Sequence, residues 1–134
     1  HTLEEKSKPY PDSPSGKTGV QTLLPLMLNH VVEGRMSMER LIDLTSAGAQ
    51  RIFGLVGKGR IVVGYDADFT VVDRHKKWTV TKDWLGSRCG WSPFEDMDLT
   101  GKALGTIIRG HRVMWDDQLA NQAFGEPLKF AGAL

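Results

Sequence analysis

The hydrophobic period of the chain changes once, near residues 54 to 60, and that change sets the order of its elements. Upstream, apolar residues recur every three or four positions. Leu23, Leu24, Met27 and Val31 share one face of a helix expected from Gln21 to about Val32, with Pro25 in its first turn and Gly34 as its stop. Ser37 is expected to cap a second helix with Met38, Leu41 and Ile42 on one side, and Thr45 a third that runs through Ala47, Ala49 and Ile52 to Phe53, where Gly54 ends it. Downstream the signals are those of strands. Arg60 to Val63 reads as a short strand, Gly64 to Ala67 as a turn, and Asp68 to Asp73 as a strand through Phe69, Val71 and Val72. Trp78-Thr79-Val80 is a third strand candidate, Gly86 to Gly101 is irregular, and Thr106 to Trp115 reads as a hairpin turning at Gly110-His111. The tail after Gly125 carries no decisive signal. The chain is therefore α/β, helices first and a small antiparallel sheet after, without internal repeats. Three amphipathic helices in a row need an apolar surface to cover.

The stretch before Gly19 breaks regular structure. Pro9, Pro11 and Pro14 fall among Ser7, Ser13, Ser15 and Gly16, and proline both fixes φ and removes a donor. Such a run is either a linker or an ordered loop at a site. The remaining composition narrows the classes. With 134 residues, 40% hydrophobic and 25% charged, the chain suits one globular domain. A net charge of +1 gives no basis for a nucleic-acid or anionic-membrane partner. The single cysteine, Cys89, excludes a disulfide framework and a thiolate metal cluster within the chain, and fits a reducing, cytosolic setting. No apolar run approaches the ~18 residues of a membrane span. The first six residues are too polar for a signal peptide. The chain starts on His1 rather than Met, which processing or a fragment would explain, and the motifs below lead us to expect a fragment.

Few side chains group for chemistry. The four histidines, His1, His30, His75 and His111, show no metal-ligand spacing, and the last three read as surface residues. Asp66 and Asp68 flank a turn, the ordinary place for aspartate. Gly16 and Gly19 ahead of a helix only faintly resemble a phosphate-binding loop, and a Walker motif is excluded. Trp78, Trp84, Trp91 and Trp115 read as packing residues, since no basic groove accompanies them. Residue chemistry alone yields no self-sufficient catalytic site.

Two longer stretches carry a resemblance. His1-Thr2-Leu3-Glu4-Glu5-Lys6, followed by Pro14-Ser15-Gly16-Lys17-Thr18-Gly19-Val20-Gln21-Thr22-Leu23-Leu24-Pro25, resembles the segment of bacterial dihydroorotases after their Asp-x-Ala-Pro-His motif, with that histidine at His1. Gly59-Arg60-Ile61, with Gly64-Tyr65-Asp66-Ala67-Asp68-Phe69-Thr70-Val71-Val72-Asp73, is similar to the strand-turn-strand entry of amidohydrolases into their C-terminal β-sandwich. Trp91-Ser92-Pro93-Phe94 and Gly105 to Gly110 look like the cyclic-amidase form of that small domain. Ala49 departs from the proline that such proteins often have. The resemblance spans nearly the whole chain.

The resemblance implies the C-terminal part of a (β/α)8 amidohydrolase barrel, its last loop and helices in residues 1–57, followed by strands of the composite β-sandwich in residues 58–134. A whole barrel needs at least ~200 residues. It implies zinc-dependent reversible cyclisation of N-carbamoyl-L-aspartate to dihydroorotate in pyrimidine biosynthesis. The zinc ligands and the catalytic aspartate would lie upstream of His1, so the chain by itself is expected to hold no catalytic residue, bind no catalytic zinc and be inactive. Its expected contribution is substrate binding, with His1 on the substrate carboxylate and Ser15 and Gly16 on the ring through their backbone. The implied setting is the cytoplasm, with a small-molecule substrate, a homo-oligomer and aspartate carbamoyltransferase as the possible partner. The alternatives are a dihydropyrimidinase, hydantoinase or allantoinase, or an inactive dihydroorotase-like partner of aspartate carbamoyltransferase. In isolation the helices should expose apolar faces such as Leu23/Met27 and Leu41/Ile42, making the chain prone to associate.

Overall fold

The computed structural model describes residues 1–132; Ala133 and Leu134, which close the second expected part, lie outside the described residues. A one-turn helix, α1 (Leu3–Lys6), opens the chain. Thr2 and Glu5 form a reciprocal capping box that satisfies two otherwise orphaned N–H groups. The proline-rich loop follows, and α2 (Val20–Val32) begins directly after Gly19. Its buried face is Thr22, Pro25, Leu28 and Val31, with Leu24 and Met27 at the flanks. Leu23, placed on that face from its spacing, is instead 56% exposed. Pro25 lies beyond the first turn, inside the helix, where burial of its ring offsets the missing donor.

The two further helices expected from the sequence are one continuous stretch. α3 (Met38–Ile42), capped by Ser37, runs through a π-helical turn (Asp43–Ala47) into α4 (Gly48–Phe53). Thr45 does not cap a new helix; its hydroxyl donates to the Leu41 carbonyl at 2.8 Å. Gly48 allows the wider turn, since a Cβ there would stand 2.3 Å from the Asp43 carbonyl oxygen. Gly54, at φ 61°, ends α4 as expected. Leu41, paired with Ile42 as an exposed face from the sequence, is only 3% exposed and joins Leu28 and Val31 in the core, while Ile42 remains half-exposed.

The sheet has four antiparallel strands in chain order, β1 (Phe69–Thr79), β2 (Asp98–Ile108), β3 (His111–Trp115) and β4 (Gln118–Leu119). Trp78 and Thr79 are not a separate strand. They continue β1 past an interruption at Asp73–Lys77, where the Asp73 carboxylate accepts the N–H groups of His75 and Lys76. The β2–β3 turn is Arg109-Gly110, one residue earlier than expected, because Ile108 pairs with His111. Both turn residues have positive φ, 52° and 82°, as a two-residue turn that matches strand twist requires. The irregular stretch ends at Met97, since Asp98 already begins β2. Arg60 to Val63 is not a strand. Among the described residues no strand pairs with it, and Val63 is fully exposed. The tail returns to the end of α4 through Val56 N–H to the Lys129 carbonyl (2.9 Å) and Ala131 N–H to the Gly54 carbonyl (2.7 Å).

Helices and sheet meet across α2 and β2. Gly101, at φ 103°, is where they touch; a Cβ there would lie 2.9 Å from the Leu28 Cβ. Beside it Thr100 N–H donates to the Asn29 side chain (2.9 Å), and the Trp78 indole donates to the Gly101 carbonyl (3.1 Å). Val72 of β1 packs on the same core. This core is small for the chain. The accessible surface is 9585 Å², against roughly 7,000 Å² for a compact monomer of this mass. Leu23, Ile52, Phe53 and Ile61 are all more than half exposed.

Candidate functional site

One ammonium group gathers the middle of the proline-rich loop, whose start is closed by the Asp12 and Ser13 N–H groups on the Pro9 carbonyl. Lys6, in the last turn of α1, donates to the carbonyls of Pro14 (2.7 Å), Ser15 (3.1 Å) and Gly16 (2.6 Å). An ammonium has three donors and no acceptor, so three converging carbonyls satisfy it completely. Gly16 has φ 88°, a conformation that favours glycine, and a Cβ there would meet nothing within 4 Å. The far end of the loop is tied to the sheet half. Thr18 donates to the Trp91 carbonyl (2.7 Å), and the Gln21 side chain bridges the Trp84 carbonyl (2.7 Å) and the Gly86 N–H (2.8 Å). Lys17 lies over the Phe94 ring, 5.3 Å from its centre.

Of the residues expected to bind substrate, Ser15 and Gly16 sit together in this loop. His1 stands at the start of α1, its Nδ1 3.3 Å from the Glu5 carboxylate. Among the described residues no hydrogen bond joins His1 to the loop; α1 links them through Lys6. A cavity of about 330 Å³ opens nearby, between Lys17 to Thr22 and Leu85 to Ser87. Neither His1, Ser15 nor Gly16 lines it, so it is a gap behind the loop. Gly16-Lys17-Thr18 does carry the closing triplet of a Walker motif, but Pro11 stands where its first glycine belongs. The Thr18 hydroxyl is engaged by Trp91.

The remaining groups of interest are structural. Lys58 bridges Asp66 and Asp68, Asp68 accepts the Arg109 N–H (2.8 Å), and Arg109 reaches Asp66 (3.4 Å) and Glu126 (3.2 Å). This network fastens the 58–68 segment to the β2–β3 turn. Burial pushes the Asp68 carboxyl up, but the hydrogen bonds from Lys58 and the Arg109 N–H outweigh it and hold the group below its usual value. Lys58 is held above its usual value, first by its bond to Asp66 and then by Asp68. Trp78 and Trp84 pack edge to face (4.7 Å), with the Lys102 ammonium 4.7 Å from the Trp78 ring centre. Lys102 is in turn paired with Asp117. His111 stacks on Phe124 at 4.0 Å, and His75 sits in the β1 interruption. Among the described residues no three histidine, cysteine, aspartate or glutamate side chains come together to hold a metal ion. The donor set among the described residues does not fit a zinc centre.

The profile of the Amidohydrolase family matches residues 13–113, three quarters of the chain and all of the α2–β2 junction. The chain belongs to the amidohydrolase family.

Within that family, the chain is 36% identical to a dihydroorotase of Pyrococcus furiosus over 126 residues, 94% of this chain and 29% of that protein. It is 42% identical to a dihydroorotase of Halobacterium salinarum over 116 residues, 87% of this chain and 27% of that protein. Among solved structures it superimposes on an L-hydantoinase (dihydropyrimidinase) from Arthrobacter aurescens with a TM-score of 0.77 and 32% identity, over 81% of this chain and 25% of that one. The chain thus spans under a third of the length of each. The expected fold class stands: an α/β amidohydrolase segment, with the last loop and helices of the barrel followed by strands of the small sheet domain. No helix among the described residues is long and apolar enough to cross a membrane.

Sequence reading alone missed Lys6, Thr18 and Gln21. The Glu-Glu-Lys run was visible, but nothing in it indicates three carbonyls eight to ten residues away. The partners of Thr18 and Gln21 lie 73 and more than 60 residues further on.

Proposed function

We propose that this chain is the substrate-binding C-terminal segment of a dihydroorotase, which interconverts N-carbamoyl-L-aspartate and dihydroorotate. The observation that carries the reading is the ordered loop at Ser15-Gly16, tethered through Lys6 to the helix that His1 precedes. In this reading His1 holds the substrate carboxylate by a charge-assisted hydrogen bond. The Ser15-Gly16 backbone contacts the ring, and the open space over Gly16 accommodates it. Residues 1–57 close the barrel and residues 58–134 form the C-terminal part of the β-sandwich. Zinc is the metal of the whole enzyme and is held by residues outside this chain, so no catalytic step is assigned to the residues present. The chain alone is inactive, and the setting is the cytoplasm. Self-association into a homo-oligomer, or docking on aspartate carbamoyltransferase, accounts for part of the exposed apolar surface.

The likeness to L-hydantoinase favours a second reading, a related cyclic amidase with a different ring substrate. Steady-state kinetics of the intact gene product separate the two. With dihydroorotate as substrate, His1→Ala is expected to weaken binding by roughly 1.5–3 kcal/mol and to leave zinc content unchanged. Turnover of hydantoin or dihydrouracil in place of dihydroorotate would favour the second reading, and loss of zinc from His1→Ala would make His1 a ligand.

A further inference from the structure

The three carbonyls on Lys6 have a consequence on the other side of the loop. In a trans peptide the C=O and the following N–H point in opposite directions, and the cis bond of the chain, Tyr10-Pro11, lies outside this stretch. With the carbonyls of Pro14, Ser15 and Gly16 turned onto Lys6, the N–H groups of Ser15, Gly16 and Lys17 must face away from it. Among the described residues none of these three N–H groups has a hydrogen-bond acceptor. Each is a free backbone donor on an exposed residue.

We propose that Lys6 is a positioning residue for substrate: by gathering three consecutive carbonyls it aims the N–H groups of Ser15, Gly16 and Lys17 at the carbonyl oxygens of a cyclic imide or ureide. This rests on the dihydroorotase reading for the identity of the ligand, but not for the geometry of the loop. Lys6 touches no substrate. Its part is to fix which face of each peptide plane the ligand meets. A freely rotating loop would present carbonyls as often as donors and would repel the oxygens of such a ring. The ammonium suits the task because its donors radiate from one point, whereas the planar fork of arginine does not match three converging acceptors. Thr18, bonded to Trp91, holds the other end of the segment against rotation.

The test uses the intact gene product and two independent readouts. The first is steady-state kinetics with dihydroorotate. The second is limited trypsin digestion, followed by mass spectrometry of cleavage after Lys17, which reports loop order whatever the substrate. Lys6→Met keeps the length of the side chain and removes its donors. It should raise KM on the order of tenfold with kcat nearly unchanged, and should speed cleavage after Lys17. Lys6→Arg keeps the charge and should not restore either value; Lys6→Gln, with two donors on a shorter stem, should fall between. Unchanged KM and unchanged cleavage in Lys6→Met would overturn the proposal, as would full restoration by arginine, which would reduce the role to charge. Faster cleavage in Lys6→Met, in an enzyme that turns over a hydantoin but not dihydroorotate, would uphold the role of Lys6 and overturn the choice of substrate.

Discussion

Gly101 and Gly16 both hold positive φ, 103° and 88°, yet their surroundings are opposite. A Cβ on Gly101 would run into Leu28 at 2.9 Å, at the seam where α2 lies on β2. A Cβ on Gly16 would meet nothing. The first glycine lets two elements of this chain approach. The second has open space where a side chain would stand. The same contrast runs through the regions around them. The α2–β2 junction contains Leu28 at 1% exposure and the paired Asn29 and Thr100, while the loop is held by Lys6 at Pro14, Ser15 and Gly16 and by Thr18 at its end. Close packing implies stability at the seam, whereas the loop depends on a few side-chain bonds and leaves Gly16 uncovered.

The largest effect expected from this contrast is at the seam. Gly101→Val adds a clash to an unfavourable φ and should cost roughly 2–5 kcal/mol, read as a lowered midpoint in urea unfolding. A smaller shift than that of a surface substitution would show that α2 can slide on β2 and that the junction is not close-packed. At Gly16 the order of effects should reverse. Gly16→Ala meets no clash, so the strain of a left-handed residue, about 1–2 kcal/mol, bounds its cost to stability. Its effect on KM for the ring substrate should exceed that. Wild-type kinetics in Gly16→Ala would break the comparison by making both glycines merely conformational.

The smallest effect belongs to the charge network at the β2–β3 turn. Because the Asp68 carboxyl is held below its usual value in the folded chain, its contribution is present above the unfolded carboxylate pKa of about 4. It is lost as the pH falls through the lower folded value. Asp68→Asn should therefore flatten the fall in melting temperature below about pH 4 and change little at pH 7 beyond a constant offset. The groups are partly exposed, which keeps the effect modest. An unchanged acid limb would remove Asp68 from the source of acid lability.

The sequence was most legible where a residue type permits few conformations. Ser37 as a helix cap, Gly54 as a helix stop and a glycine-bearing hairpin turn between β2 and β3 were all visible, since capping and positive φ are local requirements. The motif runs at His1–Lys6 and Pro14–Pro25 carried the resemblance to dihydroorotases, and the run from Gly59 to Asp73 the resemblance to amidohydrolases. Less legible was anything that depended on a partner. Arg60 to Val63 has the composition of a strand but no strand beside it. Leu23 has the right spacing for the core, but the sheet meets the other side of α2. Thr45 can cap, yet the helix passes through it by a π-helical turn that Gly48 makes room for. The hairpin turn was misplaced by one residue because register is decided by the pairing of Ile108 with His111, not by the position of the glycine alone.

By itself the sequence determined the order of helices and strands and the residue types at the loop. These follow from periodicity, from short-range conformational limits and from motif chemistry, all of which act within a few residues. The tertiary structure decided which face of α2 is buried and where β1 bends. It also decided that Lys6 gathers three carbonyls while Thr18 reaches Trp91. Those bonds join residues up to 73 positions apart, and a contact across such a distance depends on the packed shape that brings the two ends together.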